Sequence, residues 1–372
     1  MLCKEFKGIN SFLVGMSQIL LSEGVERQTR GFTCYELPYP VIIKISNPLS
    51  RLVTIPGRNW NYVLPYVESL WLASGRNDMS LVGHYVNKMY DFSDDRKTMR
   101  AGYGPRLRFF NGISEDYNTG FLQEHSQQKG KETIEVDQYD FVEKSFLKDP
   151  FTRQGIISIA DPAKDCFNSD LKLKNTKDFP CTRSLHFQRN GKKLDLVVHM
   201  RSNDFVWGAS GVNIFNFTFI QEYFAEILKL EIGSYYHIVD NFHYYKNFKG
   251  MLETIANTTN VIDESYRYKK QFRSLAEFDE KLLRLQLYEQ CLRVENKYDN
   301  IDFGDEFFND WANVFLSSYK SNKGLEFANP TLIDLTKRKL TKKAIQENKK
   351  QYQNTFSNPS EDKEDTSTQN YI

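Results

Sequence analysis

The strongest constraint on what this chain can fold into is a pair of alternating runs joined by Asn190-Gly191. Residues 183–189 and 194–200 switch between apolar and polar side chains, and Leu194, Leu196, Val198 and Met200 fall on one face of the second run. Asn-Gly between two such runs is the strongest short-range signal for a β-hairpin. Chemistry sits at the open end of that hairpin. Cys181, set by the preceding Pro180, enters the first strand, and the second strand runs out into Arg201-Ser202-Asn203-Asp204. Arg201 alternates with Met200 and therefore points off the apolar face. A nucleophile and an anion site built on one sheet is the reading these residues suggest.

Other elements follow from period and punctuation. Helices are expected over 8–24, 61–74, 79–91, 211–230, 275–297 and 305–319. Strands are expected over 155–160, before Asp161-Pro162, and over 234–240, before Asn241-Phe242-His243-Tyr244-Tyr245. Residues 32–46 are β-branched and aromatic with prolines between them, which suits a strand or an edge strand. The glycine-rich, basic segment 100–120 and residues 163–180 read as loops, and the polar stretch 121–148 holds a strand or helix near 132–147. Beyond about Leu340 apolar residues become sparse, and the final SNPSEDKEDTSTQNYI has the composition of a disordered segment. The expected organisation is a main domain over 1–250, a helical part over 251–330 packed on it, and a polar tail over 331–372.

Bulk composition narrows the function. At 372 residues the chain can bury a large core. Forty-nine basic and 48 acidic side chains leave a formal net charge of +1, which gives no general electrostatic case for nucleic acid. Five cysteines without a CxxC pair fit a reducing cytoplasm and at most a functional thiol, not a disulfide framework or zinc knuckle. His84, His125 and His186 lack metal-ligand spacing, so no metal is expected. The N-terminal apolar run is interrupted by Gly15 and Ser17 and reads as an amphipathic helix, not a signal peptide. No stretch of about 18 uninterrupted apolar residues suggests a membrane span. The basic run Lys337-Arg338-Lys339 with Lys342-Lys343 is either a solvated helix face or an anion-binding patch.

Each candidate residue has a plain alternative. Cys181, with Arg183 and Arg201 as candidate neighbours, is a thiol that a guanidinium would favour as thiolate, or a buried structural cysteine. Arg201 and Ser202 together suit a phosphate, or Arg201 pairs with Asp204 at the surface. Glu68, the one acid in an apolar helix, is protonated for proton transfer or paired with an arginine. His243 and Tyr245, which alternate after a strand, hold a ligand hydroxyl or pack as aromatic residues. Asn213 reads a ligand edge or caps a helix.

The order of these motifs resembles the thymidylate synthase and pyrimidine hydroxymethylase superfamily, in its divergent, phage-like branch. The motifs are Pro-Cys181, Met-Arg201-Ser202-Asn-Asp204, Gly208, Asn213 and Asp240-Asn-Phe-His243-Tyr-Tyr245. Upstream, Glu68-Ser-Leu-Trp71, Tyr103-Gly104 and Arg153 before Ile156-Ile157-Ser158 extend the match over roughly residues 10–250. Thr182 departs from it, where synthases usually carry His. The resemblance implies an α+β fold, a twisted mixed sheet with packed helices that dimerises through the sheet face, plus a helical C-terminal extension. It implies that Cys181 attacks C6 of a pyrimidine nucleoside monophosphate whose C5 takes a one-carbon unit from 5,10-methylenetetrahydrofolate. Arg201 and Ser202 would hold the 5′-phosphate, joined by Arg27 or Arg30 and by Arg153 from a second subunit. Asn213 would read the uracil edge, and His243 and Tyr245 the sugar hydroxyl. Glu68 would manage protons through water, while Asp204 and Trp71 serve the folate side. Methyl transfer to dUMP comes first on this reading and hydroxymethylation of dUMP or dCMP second. A catalytically weak homologue that binds nucleotide or RNA comes third.

Overall fold

The computed structural model describes residues 1–29, 31–124, 135–320 and 325–339. Two sheets organise it, with strands and helices numbered in chain order. The larger has six strands in the order β1 (Leu2–Phe6), β4 (Val41–Ile45), β9 (Glu231–Val239), β7 (Lys193–Met200), β6 (Thr182–Asn190), β5 (Ile156–Ser158). Parallel and antiparallel pairs alternate across its first half: β1 with β4 is parallel, β4 with β9 antiparallel, β9 with β7 parallel. The smaller sheet runs β2 (Val25–Thr29), β3 (Phe32–Glu36), β10 (Phe242–Tyr245), β8 (Asn203–Asp204). This is the mixed α+β arrangement expected.

The expected hairpin is β6–β7, with Asn190 opposite Lys193 and Gly191 at φ 62° opening the two-residue turn. An L-residue rarely takes that conformation, which is why glycine sits there. Leu185, Phe187, Leu194, Leu196, Val198 and Met200 turn to the core, as the alternation requires. The segment 32–46 is not one strand. Pro38 and Pro40 interrupt it, and its halves β3 and β4 join different sheets.

Helices cover one face of the large sheet. α1 (Ile9–Glu23) buries Ile9, Phe12, Leu13, Met16 and Leu20 at helical spacing. α2 (Val63–Ala73) is apolar on nearly every side and buries all its residues except Glu68. α3 (Met79–Tyr85) is shorter than expected: Val86 is extended, and 87–92 tighten into a 3₁₀ turn. The segment expected as a loop over 100–120 contains a short helix, α4 (Tyr103–Arg108). α5 (Gln138–Lys148) is capped by Asp137, whose carboxylate accepts from Tyr139 N at 2.9 Å. α6 (Pro162–Asp165) is a single turn.

The expected helix over 211–230 is two structures. A π-helical stretch, Phe205–Asn213, feeds α7 (Ile214–Ile227). α7 is buried along almost its whole length and forms the centre of the molecule. α8 (Lys249–Ala256) lies against α1, and α9 (Leu275–Gln290) and α10 (Glu306–Leu316) pack against α2 and each other. The later helices share the central core. Phe307 of α10 stacks on Phe219 of α7 at 4.5 Å, and the Trp311 indole donates to Tyr66 O at 2.9 Å. Buried charges make the same connection: Glu222 of α7 pairs with Arg51 and, at 2.8 Å, with Lys270. Helix continues over 330–339, where Arg338 donates to Thr54 O at 2.8 Å. The polar tail lies outside the described residues from position 340 onward. Among the described residues, no helix is long and apolar enough to cross a membrane.

Candidate active site

Antiparallel pairing of β6 with β7 sets Thr182 opposite Met200, so Cys181 and Arg201 emerge side by side. Arg201 N donates to Cys181 O at 2.9 Å. The Arg201 side chain then wraps the turn ahead of the cysteine. Nε donates to Pro180 O and Nη2 to Phe179 O, both at 3.0 Å, and Nη2 stands 3.6 Å from Cys181 Sγ. The guanidinium also covers the Phe179 ring at 4.9 Å. A cation at that distance favours a negatively charged sulfur. Cys181 is half-buried, not sealed in the core. On the other side, Tyr103 of α4 accepts from Thr182 N at 3.1 Å through its hydroxyl, and burial raises that phenol well above its ordinary range. Asp178 fixes the loop further back by accepting from Ala101 N at 2.7 Å, and burial pushes its carboxyl up to about 6.

β8 lies parallel to β10, which sets Asn203 opposite Phe242 and Asp204 opposite His243. This short pairing gathers the second group of side chains. Asn241 Oδ1 accepts from Ser202 Oγ at 3.3 Å and contacts His243 Nδ1 at 2.8 Å. An amide oxygen only accepts, so His243 carries its proton on Nδ1. The Tyr245 ring meets His243 edge-on at 5.4 Å. Asp204 does not pair with Arg201. Its carboxylate accepts from the backbone N–H groups of Trp207 and, at 3.2 Å, Gly208, at the start of the π-helical stretch. Burial raises Asp204 above the usual carboxylate range, opposed by the nearby His243, while its Oδ1 is buried without a partner. Desolvation lowers His243.

Asn213 ends the π-helical stretch. Its side chain does not cap α7; Nδ2 donates instead to Asn203 Oδ1 at 3.2 Å. A Cβ on Gly208 would come within 2.1 Å of Asn203 Oδ1, so that contact exists only because position 208 is glycine. One turn on, Asn216 of α7 donates to Glu68 Oε2 at 2.9 Å. Glu68 has no arginine partner among the described residues. Burial pushes its carboxyl up to about 7, the amide bond from Asn216 opposing, although the residue keeps some accessible surface.

Two expected site residues, Trp71 and Arg153, stand apart. Trp71 is 5% exposed and donates its indole N–H to Asp78 O at 3.0 Å, so its polar atom serves the core. Arg153 is exposed just ahead of β5, the edge strand of the large sheet. Arg30 lies outside the described residues, while Arg27 on β2 approaches Glu36 at 4.0 Å. Several residues were missed by sequence reasoning. Asn216 supports Glu68, Asn241 joins Ser202 to His243, and buried Arg58 donates to Val206 O at 2.6 Å under the π-helical stretch. Asn203 reaches His237 on β9 at 2.8 Å. Two polar side chains at alternate positions of β9, Tyr235 and His237, on a face that should be apolar, are the signal that was available.

Two sheets with packed helices, and a half-exposed thiol held against a guanidinium at a hairpin's open end, define an α+β fold built around a cysteine. A family model described as thymidylate synthase matches residues 12–298, and the chain belongs to the thymidylate synthase family. Among its relatives is a deoxyuridylate hydroxymethyltransferase of Bacillus phage SP01, 38% identical over 247 residues, covering 66% of this chain and 58% of that protein. A second, of Pseudomonas phage M6, is 29% identical over 63% of this chain and 59% of its own length. A third, of Delftia phage PhiW-14, is 27% identical over 58% of this chain and 54% of its own. The chain thus spans less than six-tenths of the length of these curated relatives.

Proposed function

We propose that this chain transfers a one-carbon unit from 5,10-methylenetetrahydrofolate to C5 of deoxyuridine monophosphate and delivers it as a hydroxymethyl group. The observation that carries the proposal is the 3.6 Å contact between Arg201 Nη2 and Cys181 Sγ at the mouth of the hairpin. The Cys181 thiolate adds to C6, and the electron pair moves through C5 towards O4. C5 takes the methylene carbon, loses its proton, and the bond to the folate nitrogen breaks. Water then adds to the exocyclic methylene, and Cys181 leaves C6 with its electron pair. Glu68, raised to about 7, suits the proton transfers.

Other residues keep the roles implied by the family. Arg201 and Ser202 face the 5′-phosphate, His243 and Tyr245 the sugar hydroxyl, Asn213 the base, and Asp204 the folate side. A cavity of about 1010 Å³ lined by Trp60, Tyr62, Tyr85, Tyr319 and Arg338 offers stacking surfaces and cationic charge of the kind an aromatic, carboxylate-bearing co-substrate uses. The outer face of the large sheet presents Ile42, Val197, Tyr236 and Ile238 in register. That face suits a homodimer in which Arg153 reaches the partner's phosphate site.

The residues alone rank methyl transfer ahead of hydroxymethylation. Three relatives named deoxyuridylate hydroxymethyltransferase support the reverse order. The test is incubation with dUMP or dCMP and methylenetetrahydrofolate, followed by mass spectrometry of the nucleotide. Hydroxymethyl product with tetrahydrofolate is the expected result. Methyl product with dihydrofolate makes the chain a synthase, and nucleotide binding without turnover removes the enzyme reading. Cys181→Ser should lose turnover by about a thousandfold or more while still binding nucleotide.

A further inference from the structure

Behind Asn213 lies a line of buried polar groups that the proposed chemistry does not use. Asn203 is buried and makes three contacts: Nδ2 donates to His237 Nε2 at 2.8 Å and reaches Met200 Sδ at 3.1 Å, and Oδ1 accepts from Asn213 Nδ2 at 3.2 Å. His237 is fully buried, and its Nδ1 meets the Tyr235 hydroxyl at 2.8 Å. Burial lowers the His237 ring to about 3, so it is neutral near pH 7. Because Nε2 accepts, the single proton sits on Nδ1 and points at Tyr235. Met200 Sδ has no hydrogen to give, so with His237 Nε2 accepting beside it the Asn203 amide keeps its nitrogen inward and its oxygen towards Asn213. Asn213 must answer with N–H. That leaves its second N–H and its own oxygen as a donor–acceptor pair.

A donor beside an acceptor matches O4 and N3–H of uracil. Cytosine presents the opposite pair, an N4 amino group and a bare N3. An unsupported asparagine serves either base by turning over. Here the turn would set Asn213 Oδ1 against Asn203 Oδ1, losing a buried hydrogen bond and opposing two carbonyl oxygens. We propose that the Tyr235–His237–Asn203 relay locks the Asn213 amide in the uracil-reading orientation, making Asn203 and His237 positioning residues for base choice. The inference rests on the reading that Asn213 faces the base.

Equilibrium binding of dUMP and dCMP, without folate, tests it. The wild-type chain should prefer dUMP. Asn203→Ala should lower the dUMP-to-dCMP affinity ratio about tenfold, the weight of one directed hydrogen bond. Asn203→Asp still accepts from Asn213, with His237 turned to its other tautomer, and should hold the ratio to within about twofold. A purely structural role would weaken both nucleotides together and leave the ratio alone. Should Asn203→Ala not fold, His237→Phe frees the Asn203 amide to turn and should also lower the ratio. The relay is overturned if Asn213→Asp removes the preference while Asn203→Ala and His237→Phe keep it. A wild-type chain with no dUMP preference, or an Asn213→Asp variant with unchanged binding, overturns the base-reading role and the relay with it.

Discussion

Glu68 is the residue whose environment speaks most directly to pH. Its carboxyl is raised from 4.5 to about 7 by burial, and only the Asn216 amide supports the charged form. A group whose folded value lies above its unfolded one stabilises the fold below the unfolded value. That contribution disappears as pH rises through the folded value. Glu68→Gln should therefore match wild type in denaturant unfolding near pH 4 and gain about 1–3 kcal/mol near pH 9. The profile of kcat/KM should show an ionisation near pH 7 that the same variant abolishes. An unchanged profile would remove Glu68 from the proton path. Its acid-in-an-apolar-helix pattern could be read from the sequence, but its partner could not. Asn216 lies 148 positions away and meets it only because α2 packs on α7.

At the scale of elements, the β6–β7 hairpin is the part that positions the thiol. Gly191→Ala places a side chain at φ 62° in the turn. It should destabilise the fold by about 1 kcal/mol, seen as a lower denaturation midpoint. Nucleotide affinity should hold, because the turn is at the far end from Cys181. Strands and helices with a steady period were legible: β6, β7, β9, α1, α2 and α10 all lie within a few residues of expectation. What failed were places where a local rule met a tertiary demand. The π-helical stretch carries the same apolar residues as the helix after it, and nothing in their spacing tells five-residue from four-residue hydrogen bonding. Asp204, which holds its first turn by accepting backbone N–H groups, reads in sequence as a partner for Arg201. The role of Asn203 was invisible for a similar reason. Its partner His237 is 34 positions away, and the contact arises only where the end of β7 and β8 lie beside β9 and β10.

For the whole molecule, the charges that cross the core matter most. Glu222→Ala would leave Arg51 buried without its carboxylate partner and Lys270 with only Glu226 at 4.0 Å, and should cost about 3–5 kcal/mol of stability. Burial pushes the Glu222 carboxyl up, but Lys270 and Arg51 together outweigh it and hold the group below its ordinary value. Its contribution is therefore complete above the unfolded value and fades as pH falls through the folded one, which makes the wild-type chain acid-sensitive and the variant less so. On the outer face, the proposed dimer predicts that Tyr236→Glu gives monomers by light scattering and weakens nucleotide phosphate binding, as Arg153→Ala would. A dimer that survives Tyr236→Glu would move the interface elsewhere.

The same crossing charges set the order in which the molecule is made. Arg51 and Glu222 leave the ribosome well before Lys270, and Phe219 well before Phe307, so the newborn chain holds an unfinished centre until its later helices arrive. Synthesis halted ahead of α10 should yield a chain that proteases digest readily, although every residue of the cluster around Cys181 is already in it.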